Sequence, residues 1–382
     1  MGNLILSDME QAEGYATWVE VDLGAIENNI QYFSELSAAQ VMAVVKANAY
    51  GHGSCEVAEA ALRGGATWLA VARVNEAQQL RQAGLNTPIL ILGYTPPLRM
   101  SEMIQAEVAL TVWDLKQVAR VGQAADAYGM EARLHLKVDT GMSRLGSRPV
   151  DVLALAEDID KTPGVNLEGV FTHLARADES DPSTTDHQLN RFQEVIENLE
   201  REGLRPPLVH CANSAAALNR IGTHMDLMRV GIAMFGLEPS CETPLPSVVR
   251  PALSWKSILV QAKTLPQGRG ISYGHRYTTT REERIGTIPV GYADGLRRVE
   301  GNQVLVGGRV VPVVGRVTMD QIMVNLDSLP EAQAGDEVII LGTQEGSRIS
   351  AEDIANRWGT INYEVTSGIA ARVPRLYQGG TT

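Results

Sequence analysis

A lysine closes the apolar run VMAVVK (41–46), inside the longer stretch VVKANAYGHG. Burying an ammonium is costly unless the charge is paired or the amine is used covalently. Lys46 is therefore either a strand-end lysine that snorkels to water or a Schiff-base lysine. Other polar groups stand at the ends of later apolar runs. Lys137 and Arg144 fall in LKVDTGMSRLG, His173 in LEGVFTHL, Asn213 and Ser214 at the end of PLVHCANS, and Arg229, Gly231 and Ile232 in DLMRVGI. Each has a structural explanation: a surface arginine in a glycine turn for Arg144, a hydrogen-bonded core imidazole for His173, a helix N-cap for Ser214. As a set they offer more. The Ser214 hydroxyl and the amides of Gly231 and Ile232 suit a phosphate.

The elements that must bring these groups together are readable as well. Eight apolar runs, VMAVVK, WLAVAR, PILILG, VALTVW, ARLHLKVD, LEGVFTHL, PLVHCAN and DLMRVGI, recur through the first two-thirds of the chain. They are nearly continuous rather than alternating, as strands buried on both faces should be. Between them lie helical patterns such as CEVAEAALRGG and LKQVARVGQAADAYG that end in glycine. Eight strands with intervening helices predict an α/β fold, an N-terminal (β/α)8 barrel of TIM type; an open doubly wound sheet is the alternative. Loops after different strands of such a barrel converge on one face, where all the residues above would meet.

Before the first run, TWVEVDLGAIENNIQYFSEL reads as a short strand and then a helix capped by Asp22, with Leu23, Ile26, Ile30 and Phe33 on one face. The proline-rich EPSCETPLPSVVRP marks a linker. After it come strand-and-turn patterns and one helix, SAEDIANRWG, with Ser350 and Asp353 in capping-box positions and Gly359 as its stop. The expected domains are a barrel over residues 1–245, including an N-terminal extension of 1–14 with a flexible terminus as its default, and a mainly-β domain over 246–382.

With 382 residues, 44% apolar and 20% charged, the composition is that of an ordinary globular protein. A net charge of −12 with scattered basic residues argues against nucleic acid as a partner. Cys55, Cys211 and Cys241 have neither disulfide nor metal-ligand spacing, so reduced thiols and no metal are expected. The first residues lack a basic and then apolar leader, and no run reaches the roughly 18 apolar residues of a bilayer span. A soluble cytoplasmic protein that engages no membrane is the expectation.

Taken together, AVVKANAYGHG, LKVDTGMSRLG, THLARAD, HCANSAA, RVGIAMFG, ISYGHRY, PVGYADG, GRVTMDQ and NYEVTSGIAARVPR resemble the alanine racemase family in identity, order and spacing. The resemblance runs from TWVEVDL to RVPRLY. It implies a fold type III enzyme that racemises L- and D-alanine with pyridoxal 5'-phosphate, supplying D-alanine for peptidoglycan. By the same resemblance Lys46 would hold the cofactor, and Tyr50, Ser214, Gly231, Ile232 and Tyr363 would contact its phosphate, with Asn213 nearby. Arg229 would face the pyridine nitrogen, and His173 would link Arg229 to Tyr273. Arg144 and the Met319 backbone would take the substrate carboxylate, supported by Lys137, a position carbamylated in many family members. Asp320 would stand beside Met319, and Tyr292 would line the entrance. Tyr273, Tyr292, Met319 and Asp320 would serve the neighbouring subunit's barrel, which makes the active form a homodimer. Thr318 stands where some members have cysteine.

Racemisation removes a proton from one face of Cα and returns one to the other, so two bases on opposite faces are the economical arrangement. Lys46 would handle the D-alanine proton and Tyr273 the L-alanine proton. A phenol ordinarily titrates near ~10, so positive charge from Arg144 and the His173–Arg229 chain is expected to favour its basic form. In isolation, ISYG would read as a hairpin aromatic. Three rivals fit parts of the pattern. A serine or broad-specificity racemase would use the same scaffold, with Tyr363 favouring a small substrate. A barrel decarboxylase is disfavoured by Arg229. A pyridoxal-phosphate carrier would keep Lys46 but lack the β domain and Tyr273.

Overall fold

In the computed structural model, which describes residues 14–379, all eight apolar runs become strands of one parallel sheet. After a first strand, β1 (Thr17–Asp22), the chain enters β2 (Gln40–Val44), β3 (Trp68–Val71), β4 (Ile89–Ile91), β5 (Val108–Val112), β6 (Ala132–Lys137), β7 (Val165–Phe171), β8 (Leu208–His210) and β9 (Leu227–Val230). Neighbours pair in chain order, and β9 returns to β2. The remaining seam is closed by Asp226 N–H to the Val209 carbonyl at 3.1 Å and Arg229 N–H to the Ala212 carbonyl at 3.2 Å. The result is a (β/α)8 barrel rather than an open sheet. Helices between the strands bury one stripe each; Leu115–Asp126 turns Val118, Val121, Gly122 and Ala125 inward, the spacing a 3.6-residue period requires. The first helix, Leu23–Glu35, buries Ala25, Ile26, Asn29, Ile30 and Phe33, while Leu23 is only half-buried.

The barrel register has one irregularity. Leu134 on β6 faces Leu167, but His135 faces Gly169, so Glu168 on β7 is an extra residue without an opposite number. A Cβ on Gly169 would collide with the His135 ring. Bulges of this kind re-aim a side chain, here Glu168.

Ala25–Pro251 form one compact unit, and β1 belongs to the other. The expected boundary at 245 therefore shifts, and the N-terminal strand leaves the barrel domain. Both corrections have a physical cause. From Val19 onward β1 alternates buried Val19 and Val21 with half-buried Glu20 and Asp22, the pattern of a one-sided sheet rather than a barrel stave. The end of the proline-rich stretch is tied to the barrel unit by Asn29, which is fully buried. Its amide donates to the carbonyls of Met234 (2.9 Å) and Arg250 (2.8 Å) and accepts from Arg250 N–H (2.9 Å). The expected extension 1–14 lies outside the described residues except for Gly14.

The second unit continues with β10 (Leu253–Ile258), β11 (Gln261–Leu265), β12 (Gly270–Ile271), β13 (Tyr277–Thr278), β14 (Glu283–Ile288), β15 (Gln303–Val306), β16 (Arg309–Val314), β17 (Ile322–Asn325), β18 (Glu337–Gln344), β19 (Ser347–Ile349) and β20 (Arg375–Gln378). Its main sheet runs β11-β14-β17-β16-β15-β18-β10-β1-β20, antiparallel except where β1 lies parallel to β20. The helix Ala351–Trp358 has the expected reciprocal cap between Ser350 and Asp353 and stops at Gly359 with φ 66°. Among the described residues no helix is long and apolar enough to cross a membrane.

Replacing Asn29 by leucine keeps the volume but leaves two carbonyls and one amide of this tie unpartnered. Each such group costs about 1–3 kcal/mol, so Asn29→Leu is expected to lower unfolding free energy by at least about 3 kcal/mol in urea titrations.

Candidate active site

Lys46 lies two residues beyond β2, where the backbone turns left-handed. Ala47, Asn48, Ala49 and Tyr50 have φ of 52°, 53°, 52° and 54°. Four consecutive L-residues in this region cost roughly 1–2 kcal/mol each, so the surroundings must hold them. Glu76 accepts from Ala47 N–H at 2.6 Å with one oxygen and from the amides of Ala72 (2.8 Å) and Arg73 (2.9 Å) with the other. The Asn48 side chain accepts from Ser54 N–H at 3.0 Å. This turn sets the Lys46 ammonium 5.9 Å from the centre of the Tyr50 ring.

Three other cations of the barrel, Lys137, Arg144 and Arg229, converge on the same place. Burial is the main influence lowering the Lys46 pKa, followed by the charge of Arg144; Glu76 opposes and Arg229 adds to the effect. Lys137, 5% exposed, is lowered to about 8 by burial and then by Arg229 and Arg144. His173 is held well below the ordinary imidazole value by burial and by Arg229, Lys137, Arg144 and Lys46. Arg144 itself is exposed. Such mutual repulsion leaves a site short of negative charge, which suits a phosphate and a carboxylate.

Arg229 is nearly sealed, 4% exposed, yet among the described residues no carboxylate contacts it. It donates to His210 Nδ1 (2.9 Å), to the carbonyls of Thr172 (2.8 Å) and Cys211 (3.0 Å), and more distantly to His173 Nδ1 (3.4 Å). Burial lowers its pKa to about 10, so it remains a cation at neutral pH. Beside it lies a cradle of small groups. Ser214 Oγ accepts from Gly231 N–H (3.0 Å) and Ala233 N–H (3.3 Å), which overturns the simple N-cap expectation for Ser214. The cap is Asn213, whose side chain accepts from Ala216 N–H at 3.0 Å and donates to the Leu174 carbonyl at 3.3 Å. A Cβ on Gly231 would stand 2.7 Å from the Tyr50 hydroxyl, so glycine is required for that approach. Ile232 begins a 3-10 turn there, and its amide has no protein acceptor among the described residues.

In the β unit, Tyr273 is 71% exposed on a 3-10 turn (Tyr273–His275) joining the ribbon β12–β13. Ser272, at φ 59°, anchors the turn by donating to the Arg316 carbonyl at 2.7 Å. Tyr292 N–H donates to the Thr318 carbonyl and Ala293 N–H to the Met319 carbonyl, both at 3.0 Å. Asp320 pairs with Arg372 (2.9 Å), which also reaches Asp294 (3.1 Å). Backbone ties thus group Tyr292 with Met319 and Asp320. Tyr273 lines an open cleft of ≈ 890 Å³ with Thr318, Gln321 and Arg269. Tyr363 lies apart in sequence on the short helix Asn362–Ser367.

Residues 21–239 match the family described as alanine racemase, N-terminal domain, and residues 252–377 the corresponding C-terminal domain. The chain belongs to the alanine racemase family. The alanine racemase of Symbiobacterium thermophilum is 45% identical over 369 residues, covering 96% of this chain and 98% of that protein. Alanine racemase 2 of Caldanaerobacter subterraneus subsp. tengcongensis is 43% identical, covering 94% of each. The Bacillus anthracis alanine racemase, solved with bound L-Ala-P, superposes with a TM-score of 0.90 at 44% identity over 96% of each chain. That of Clostridium difficile 630 gives 0.92 at 38% identity, again over 96% of each. The chain is accordingly an enzyme, its reaction is alanine racemisation and its cofactor is pyridoxal phosphate.

Among the racemase residues expected from sequence, Lys46, Tyr50, Lys137, Arg144, His173, Asn213, Ser214, Arg229, Gly231 and Ile232 all lie in the barrel unit, and Tyr273, Tyr292, Met319, Asp320 and Tyr363 all lie in the β unit. Sequence reading missed Glu76, His135, Glu168 and His210. A signal existed for the two histidines: His135 stands between Leu134 and Leu136 and His210 directly follows Leu208 and Val209, and a polar residue among buried apolar ones is the informative one.

Lys137 has a testable consequence for stability. Its pKa falls from 10.5 to about 8 in the folded chain. Below pH 8 both states are protonated and the cost of burying the charge is fully present. From 8 to 10.5 the unfolded chain binds more protons, so stability at this site rises with pH. In carbon-dioxide-free buffer, Lys137→Met should stabilise by up to about 3 kcal/mol at pH 7, and the gain over wild type should vanish as denaturation is repeated toward pH 10.

Proposed function

We propose that this racemase moves protons at alanine Cα with two bases, Lys46 and a Tyr273 lent by a second copy of the chain, so that the working form is a homodimer. The observation that carries the reading is the convergence of Lys46, Lys137, Arg144 and Arg229, each lowering another's pKa or that of His173. The open Ile232 amide and the Gly231–Ser214 cradle fit a phosphate, and the half-buried Lys46, its ammonium pKa lowered, fits a covalent hold.

Bound pyridoxal phosphate draws off the electrons that remain on Cα when its proton leaves. Lys46 would hold it, with Tyr50, Ser214, Gly231, Ile232 and Tyr363 at the phosphate and Asn213 fixing the start of the Ser214 helix. Arg229 would turn an N–H donor to the ring nitrogen. A guanidinium does not give up its proton there, which limits charge delocalisation and so restrains side reactions such as transamination. Arg144 and the Met319 backbone would take the substrate carboxylate, with Asp320 alongside. Lys137, easily deprotonated, is suited to carbamylation, which would place an anion among the cations and brace Arg144. His173, neutral and accepting from Arg229 through Nδ1, retains an Nε2–H that would reach the phenol of Tyr273 of the partner subunit. Tyr292 would narrow the entrance.

The exposed Tyr273, Tyr292 and Met319 support a partner that covers this face. Three unpaired cysteines support a reducing cytoplasm, where the D-alanine product would supply peptidoglycan.

In deuterium oxide, L-alanine should lose both optical rotation and its α-proton; retention of both would refute the reading. Tyr273→Phe should suppress L-to-D turnover with cofactor still bound. Mixing inactive Lys46→Ala and Tyr273→Phe proteins after reversible dissociation should restore about a quarter of wild-type activity, because each mixed dimer carries one intact site. No restoration would show that both bases come from one chain.

A further inference from the structure

Arg229 poses a problem that its immediate neighbours do not solve. It is a buried cation, and its hydrogen-bond acceptors are two carbonyls and two imidazoles. A buried charge without a counter-charge is costly. Following the contacts away from the reacting groups leads to one. His210 Nδ1 accepts from Arg229, and its Nε2 lies 2.9 Å from His135 Nδ1. His135 Nε2 lies 3.5 Å from Glu168 Oε2, and among the described residues neither of these two buried atoms has a hydrogen-bond partner. Both imidazoles are fully buried. Phe171 stacks on His210 with centroids 4.7 Å apart and planes 4° apart, and Trp68 meets the His135 ring edgewise at 5.5 Å.

Donor and acceptor roles along this line follow from one end. Arginine has only donors, so His210 Nδ1 must be bare and its proton sits on Nε2. That proton is given to His135 Nδ1, which is therefore bare too, and the His135 proton also sits on Nε2, facing Glu168. We propose that Glu168 is the remote counter-ion of Arg229, acting through His135 and His210 as a one-way relay, hydrogen-bonded from Arg229 to His135 and completed by the 3.5 Å approach of His135 Nε2 to Glu168, that fixes the protonated guanidinium. Three observations support it independently. The strand register places Glu168 in a bulge opposite His135. Residue 169 is a glycine because the His135 ring occupies the place of a Cβ. Burial keeps both imidazoles below their ordinary pKa, hence neutral, as the relay requires. Arg133 lies 3.7 Å from the other Glu168 oxygen, toward the outer end of the line.

Glu168, His135 and His210 are positioning residues, and their effect on turnover rests on the reading that Arg229 faces the cofactor ring. The test is ring-nitrogen NMR of the holoenzyme labelled with ¹⁵N-histidine. In wild type both His135 and His210 should be neutral and protonated at Nε2. In Glu168→Gln, a near-isosteric change, the His210 ring signals should move although two groups separate it from residue 168. Turnover in both directions should fall roughly tenfold with KM changed less than about twofold, and Glu168→Asp should recover part of it. Unmoved His210 signals with wild-type turnover in Glu168→Gln would overturn the proposal. Should that variant not fold, a wild-type spectrum with His210 protonated at Nδ1, or with either ring as a cation, overturns it equally. Absence of racemase activity in wild type would instead refute the functional reading, because the wild-type tautomers are measured without turnover.

Discussion

Positive charge confined to the C-terminal end of one parallel barrel is the constraint on which the rest of this structure depends. Lys46, Lys137 and Arg229 are largely removed from water, and together with Arg144 they repel one another. Among the described residues, Glu76 counters the lowering at Lys46 and Asp139 that at Lys137. A fold optimised for stability alone would place acids there or replace the bases by apolar residues. Keeping them makes sense where anions complete the site, and the two that the reaction brings, a phosphate and a carboxylate, are those for which lysine, arginine and bare amides are suited.

The same constraint accounts for the aromatic and carbonyl groups around the cations. Phe171 lies 5.1 Å from the Lys137 ammonium and 5.4 Å from the Arg229 guanidinium, so one ring helps to stabilise two charges without neutralising either. The carbonyls of Thr172 and Cys211 are borrowed from the ends of the β7 and β8 staves for the same purpose. Neutral acceptors hold a cation in place while leaving its charge available to a ligand. A carboxylate in direct contact would hold it more firmly and cancel more of the field; a carboxylate two imidazoles away is a compromise between the two.

Much of this was legible in the sequence because strands buried on both faces have a simple signature. All eight barrel strands coincide with apolar runs, and the two strand-end motifs containing Lys46 and Arg229 locate the site. From sequence alone β1 reads with the barrel domain, because pairing over more than 200 residues leaves no local trace; Thr17 opposes Ser257. Ser214 misled for a related reason. Local rules favour serine as a cap, and they cannot reveal that Asn213 caps while Ser214 turns to amides seventeen and nineteen residues away. The relay histidines are visible as polar residues next to buried apolar ones, but their direction depends on a bulge, which sequence patterns do not announce.

The turn after Lys46 shows why strain gathers at such a place. Had β2 continued, residues 46, 48 and 50 would share one face and 47 and 49 the other. A right-handed helix would instead have carried Tyr50 one turn along from Lys46 on the same side. The left-handed run does neither: it keeps the Tyr50 ring beside the lysine and brings its hydroxyl against Gly231, thereby joining the base to the phosphate cradle. Four strained residues would unwind in isolation. They persist because Glu76, from the next stave's helix, binds three amides across two loops, and because Asn48 and Gly51 tolerate positive φ. Glu76 is thus both the clamp of the turn and the acid that opposes the lowering of the Lys46 pKa. Removing it would loosen the geometry of the base and change its proton affinity together, which ties the conformation of this turn to the chemistry it presents.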